Sequence, residues 1–183
     1  SWIDAHKALN RFLLANKNDQ LRIIGLLKKV GIGPFKDKSL PDSHDIELTE
    51  IDPFTFYCYI YKYGSERRLD FLQKLCKEID ADIPSGDAGI PSAQAQKVWL
   101  FPYQYKRQNN EISRLWKLFK LALEGKITDE VFSDTLTILS TGKVKLTEAL
   151  FYADPHSYLP INNPVKRYLK DVHDIETEFE LFS

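Results

Sequence analysis

Apolar residues recur along this chain at the three- and four-residue spacing of helices, broken by punctuation residues at the ends of each run. Ile3, Leu9, Phe12 and Leu13 mark a first amphipathic helix over 3–15. A second starts after Asp19, carries Leu21, Ile24, Leu27 and Val30 on one face, and stops at Gly31. Residues 31–52, with Gly31, Gly33, Pro34 and Pro41 followed by Asp42, Asp45, Glu47 and Glu50, read as a loop. Asp52-Pro53 is a helix start, with the carboxylate as cap and the proline preset at the first helical position. The run from Phe54 to Tyr61 is apolar almost all round. Its aromatic content also suits a strand, but the cap and the Gly64 stop favour a central helix. Ser65 is expected to cap a fourth helix with Leu69, Leu72, Leu75, Cys76 and Ile79 inward.

After a loop over 80–95, Val98-Trp99-Leu100-Phe101 is either a short buried strand or a helical turn. Asn109 or Asn110 opens the clearest helix, with Ile112, Leu115, Trp116, Phe119 and Leu123 inward. Thr128, Thr147 and Asn163 open three more. The expectation is a mainly α fold: one compact helical domain over 1–174, about eight helices, at most a few short strands. Residues 1–44 form its N-terminal helix pair and loop, and 175–183 an acidic tail or linker.

Composition narrows the class. An apolar fraction of 43% with 28% charged residues excludes a disordered chain, and no apolar run approaches a bilayer span. No membrane is expected, and two cysteines in 183 residues fit a reducing, cytoplasmic setting in which Cys58 and Cys76 are buried free thiols. No methionine occurs at any position and the chain opens Ser1-Trp2, so an excised piece of a longer protein is expected.

Net charge is −1, so only its distribution is informative. Between Lys97 and Lys126 stand seven basic residues, Lys97, Lys106, Arg107, Arg114, Lys117, Lys120 and Lys126, against Glu111 and Glu124. Trp99, Phe101, Tyr103, Tyr105 and Trp116 are interleaved with them. Cations neutralise phosphates and rings stack on bases, so this stretch points to nucleic acid. The competing reading is a solvated basic face over an aromatic core.

Other chemistry finds little support. Gly142-Lys143 lacks the rest of a phosphate-binding loop, so no nucleotide cofactor or hydrolysis is expected. No zinc spacing exists, and neither cysteine has a neighbouring histidine. Arg167 and His173 have the loose spacing of one class of helical ribonucleases, but lysine-rich helices yield that spacing often, and a solvated arginine with a histidine at a helix C-terminus is the favoured reading. Lys28 to Pro34 superficially matches a helix–hairpin–helix clamp, but only a turn is expected after it. Catalytic residues and metal ligands are therefore expected to be absent.

Several segments in order carry a family resemblance: Ile51-Asp52-Pro53-Phe54-Thr55-Phe56, Arg67-Arg68, Gly89-Ile90-Pro91, Trp99-Leu100-Phe101, Ile112 to Phe119, Leu146 to Phe151, and Tyr158 to Ile161. Together, over roughly residues 45–170, they resemble the N-terminal region of bacterial McrB-type AAA+ ATPases/GTPases, the motors of modification-dependent restriction. The chain departs from that pattern at Asp87-Ala88-Gly89, where the acidic residue is displaced, and at Arg67, where the pattern has Asn. The resemblance implies a non-enzymatic DNA-recognition module, followed by an AAA+ motor and served by a partner endonuclease. An assembly module of the same motor is the alternative it leaves open. On this reading Arg67, Arg68, Lys97, Lys106, Arg107, Arg114 and Lys117 contact DNA. Trp99, Phe101 or Tyr103 stacks on an exposed base.

Overall fold

The computed structural model describes residues 1–93 and 98–177. Among them are eight helices: α1 (Trp2–Ala15), α2 (Gln20–Lys29), α3 (Pro53–Tyr61), α4 (Ser65–Glu78), α5 (Glu111–Leu123), α6 (Asp129–Leu136), α7 (Lys143–Ala153) and α8 (Asn163–His173). Two two-residue strands, β1 (Lys36–Asp37) and β2 (Ile46–Glu47), pair antiparallel within the segment expected to be loop throughout. The fold is mainly α, as the periodicity indicates.

The centre is α3. All nine of its residues are buried, and it packs against α4, α5 and α7. Asp52 caps it as expected, its Oδ1 accepting the amides of Phe54 and Thr55 at 2.8 and 3.0 Å. The expected core residues Leu72, Leu115, Trp116 and Phe119 are all buried. So are both thiols, pushed up by burial to about 12 at Cys58 and about 11 at Cys76.

Some local expectations need correction. Gly64, not Ser65, is the N-cap of α4, with no side chain bonding to the helix amides. Asn110 adopts a left-handed conformation and makes no cap bond; instead Glu111 reaches back to the amides of Gln108 and Asn109. Asn162 rather than Asn163 caps α8. Helix α7 starts at Lys143, four residues before Thr147. Leu21 is exposed, because α2 buries Ile23, Ile24, Leu26 and Leu27. Gly31 does end α2 as expected, at a φ of +90°; its amide and that of Ile32 bond back to the carbonyls of Lys28 and Leu27. The segment around Trp99 is neither strand nor helix.

A helix buried on all sides must satisfy its own polar atoms. The hydroxyls of Tyr57 and Tyr61 do so through α1, in a network the sequence reading misses. Tyr57 donates to Asn10 Oδ1 at 2.6 Å, and Asn10 donates to the Ala153 carbonyl at 2.8 Å. His6 Nδ1 lies 2.7 Å from the Tyr152 carbonyl, which can only accept, so Nδ1 carries the proton. Nε2 then accepts from the Tyr61 hydroxyl. Replacing Tyr61 by Phe strands that buried nitrogen, and should cost about 1–3 kcal/mol in denaturant unfolding without changing helix content.

Two buried groups set the response to acid. Burial depresses His6 to about 4, so its contribution is present above its unfolded value near 6.5 and is lost as pH falls toward 4. Burial raises Asp52 to about 6, against its cap hydrogen bonds, so its contribution is full below 3.8 and is lost as pH rises through 6. The two oppose each other. On going from about pH 7.5 to about pH 5 these groups should cost the wild type about 1 kcal/mol and Asp52→Asn, which keeps a cap oxygen, about 2 kcal/mol. Chemical unfolding of both proteins at the two pH values checks this.

Candidate nucleic-acid groove

The aromatic-basic segment is held by one buried carboxylate. Asp37, on β1, accepts from the amides of Lys38 and Gln104 through Oδ1 at 2.7 and 2.8 Å, and from Arg107 through Oδ2 at 2.6 Å. Arg107 also donates to the Pro102 carbonyl at 3.1 Å and lies over the Phe101 ring. The amide of Tyr105 adds a bond to the Lys38 carbonyl. Asp37 is 2% exposed and the Arg107 side chain 12%, so this ion pair is internal. It turns residues 101–107 back along the β1 segment and sets the direction of the rings.

Those rings line one large open groove of about 1310 Å³. Trp99 donates from Nε1 to the Tyr59 hydroxyl at 2.6 Å, and Phe101 packs behind it with ring centres 4.7 Å apart. Tyr103 meets Trp99 edge-on at 5.7 Å, lies nearly parallel to Tyr105, and is 42% exposed. Residues 139–142 and the first turn of α7 complete the lining. Lys36, Lys62, Lys106, Lys143 and Lys145 all line the groove. Lys145 donates to the carbonyls of Trp99 and Ser140, tying α7 to the Trp99 segment. Lys62 lies 4.8 Å from the Tyr59 ring centre, and partial burial lowers its pKa. The groove also contains Glu148, which burial raises and which accepts from Asn162 at 3.1 Å.

The structure therefore redistributes the residues singled out by sequence. Trp99, Tyr103 and Lys106 line the groove. Phe101 also reaches its wall but is only 1% exposed, so it supports Trp99 rather than offering a face to a base. Arg107 is committed to Asp37. Arg114 is committed to Asp134 and Thr137 through four hydrogen bonds. Arg68 donates to the Pro91 carbonyl, while Arg67 is exposed beside Tyr63. Lys117 is exposed on α5, away from the groove lining. Lys97 lies outside the described residues, as does the tail beyond Thr177.

Lys36, Lys62, Lys143 and Lys145 escape a sequence reading because they are scattered over three segments, β1, the end of α3 and the start of α7. Gly142-Lys143 is visible as a motif, yet its part in a basic wall depends on where α7 packs. Arg167 and His173 both lie on α8 and outside the groove; His173 instead contacts the Tyr168 hydroxyl at 3.3 Å. After Lys28 to Pro34 comes β1, so the second helix of a clamp is absent there. Cys58 reaches the groove, but its raised pKa is the reverse of what a nucleophile needs. Among the described residues, no three His, Cys, Asp or Glu side chains are grouped to hold a metal, and no helix is long and apolar enough to cross a membrane.

Removing Arg107 leaves the buried Asp37 without its ion-pair partner, with Oδ1 still held by two amides and Oδ2 by nothing. Arg107→Ala should therefore destabilise the fold by about 3–5 kcal/mol in denaturant unfolding, a far larger effect than loss of a surface phosphate contact.

A family model described as Domain of unknown function (DUF8425) matches residues 2–180, so the chain belongs to that family. Comparisons with curated proteins and with solved structures found no match.

Proposed function

We propose that this DUF8425 domain is a non-enzymatic DNA-binding module whose contact surface is the lysine- and aromatic-lined groove. The observation that carries the reading is the convergence of five lysines with Trp99, Tyr59 and Tyr103 around one cavity, against one lining carboxylate, Glu148, and Asp45, which pairs with Lys36 at 3.3 Å. The chain as a whole is nearly neutral, so this local excess is a feature of the site. Lysines there would neutralise phosphates and hold register, while the rings offer apolar faces to bases. The resemblance to McrB-type regions supports the same reading: such a cytoplasmic module would present target DNA to a motor and a partner endonuclease. Of the arginines in the basic stretch, Arg107 and Arg114 act in this reading as struts, paired to Asp37 and Asp134.

A second reading, a protein-assembly module, draws on α8. That helix buries no residue completely and exposes Tyr168, Val172 and, just past its end, Ile175 along one side. The readings separate under charge reversal. Lys36→Glu and Lys106→Glu should each weaken DNA binding severalfold and reduce the salt slope by about one, while Lys117→Glu leaves both unchanged. DNA affinity insensitive to the groove substitutions would sink the groove as the binding site. Loss of self- or partner association on Tyr168→Ala with no DNA affinity at all would favour assembly.

A further inference from the structure

Resting on the DNA-binding reading, we infer that the groove takes an unpaired DNA strand in preference to a duplex. The rings are the first reason. Trp99 is half-buried in the cavity wall, with Phe101 behind it and its indole nitrogen engaged by Tyr59, so it offers a fixed ring at the floor of a recess. Base faces in a duplex are stacked on one another and reach such a recess only by extrusion, which costs a few kcal/mol for each base. Unpaired bases present their faces without that cost. Tyr103, steadied by its parallel neighbour Tyr105, adds a second exposed ring 5.7 Å from the first. The two rings meet edge-on, at 65°, so each turns a differently directed face to the groove, which suits the splayed bases of an unpaired strand and not the parallel bases of a duplex.

Size and polarity agree. A volume of about 1310 Å³ exceeds the roughly 300–1,000 Å³ of small-molecule pockets, so the groove suits a short stretch of polymer. Its polar lining is not uniformly cationic. Glu148 and Asn162 lie among the lysines, joined by a 3.1 Å hydrogen bond. A carboxylate repels phosphates but accepts hydrogen bonds from base N–H groups. Those Watson–Crick edges are free only when the strand is unpaired. The strand would run with phosphates toward Lys36, Lys106 and Lys143, and bases toward Trp99, Tyr103 and Glu148.

The test uses the whole chain and two labelled probes in fluorescence anisotropy at fixed salt: an oligothymidine of roughly eight nucleotides, and a blunt hairpin whose duplex stem is roughly eight base pairs long. The single strand should bind at least about tenfold more tightly and quench tryptophan emission. The quench reports on Trp99, because Trp2 and Trp116 are 8% and 1% exposed. Tyr103→Ala, at an exposed ring whose loss leaves the fold intact, should weaken the single strand about tenfold and the duplex little. Equal or tighter duplex binding overturns the strand preference and leaves the DNA-binding reading standing. Unquenched tryptophan with full affinity in Tyr103→Ala also overturns it, because the strand then lies elsewhere. No binding of either probe removes the DNA-binding reading itself.

Discussion

The structure depends on keeping a fully buried helix hydrogen-bonded. Helix α3 carries three tyrosines and three other large apolar side chains, Phe54, Phe56 and Ile60, into the centre of the domain, where an unpaired hydroxyl costs about 1–3 kcal/mol. Tyr57 and Tyr61 are paired with Asn10 and His6 of α1. Those two side chains are in turn bound to main-chain carbonyls at the end of α7. Three helices distant in sequence are thus fixed against one another by direction as well as by apolar contact. Hydrophobic burial supplies most of the stabilisation, and the network selects one arrangement of α1, α3 and α7 among the compact alternatives.

That arrangement builds the groove. Tyr59, on the other side of α3 from this network, holds the Trp99 indole, while Lys145 of α7 holds the Trp99 carbonyl. Thr55, also on α3, accepts from the amide of Leu100. The irregular 98–101 segment therefore owes its position to both helices. The Asp37–Arg107 pair then aims residues 101–107, an internal ion pair satisfied on each oxygen. The geometry of the rings is a consequence of core packing, and the proposed binding surface is anchored to α3 and α7.

Much of the helical framework was legible in the sequence, because apolar spacing and the caps at Asp19, Asp52 and Thr128 agree with each other there. The expected caps at Ser65 and Asn163 miss by one residue and the start at Thr147 by four, while Asn110 does precede α5 but caps it without a side-chain bond: a capping residue type near a helix start does not fix which residue is the cap. The site was half legible. Trp99, Tyr103 and Lys106 are close in sequence and were visible as a cluster. Arg107 and Arg114 were visible too, yet their partners Asp37 and Asp134 lie 70 and 20 residues away, so a cation used internally looked the same as one facing solvent. His6 and Asn10 gave no sign of their role, because each is a lone polar residue on an amphipathic helix whose partners come from α3 and α7.

The most direct test of the account is a titration of the isotope-labelled chain with a short single-stranded oligonucleotide, followed by amide chemical-shift mapping. The account predicts saturable shifts concentrated at residues 98–106, at 139–145 entering α7, and at Lys36 and Lys62, with the Trp99 indole N–H among the largest. Shifts confined to α8 and the outer face of α5, or none at oligonucleotide concentrations well above that of the protein, would contradict it.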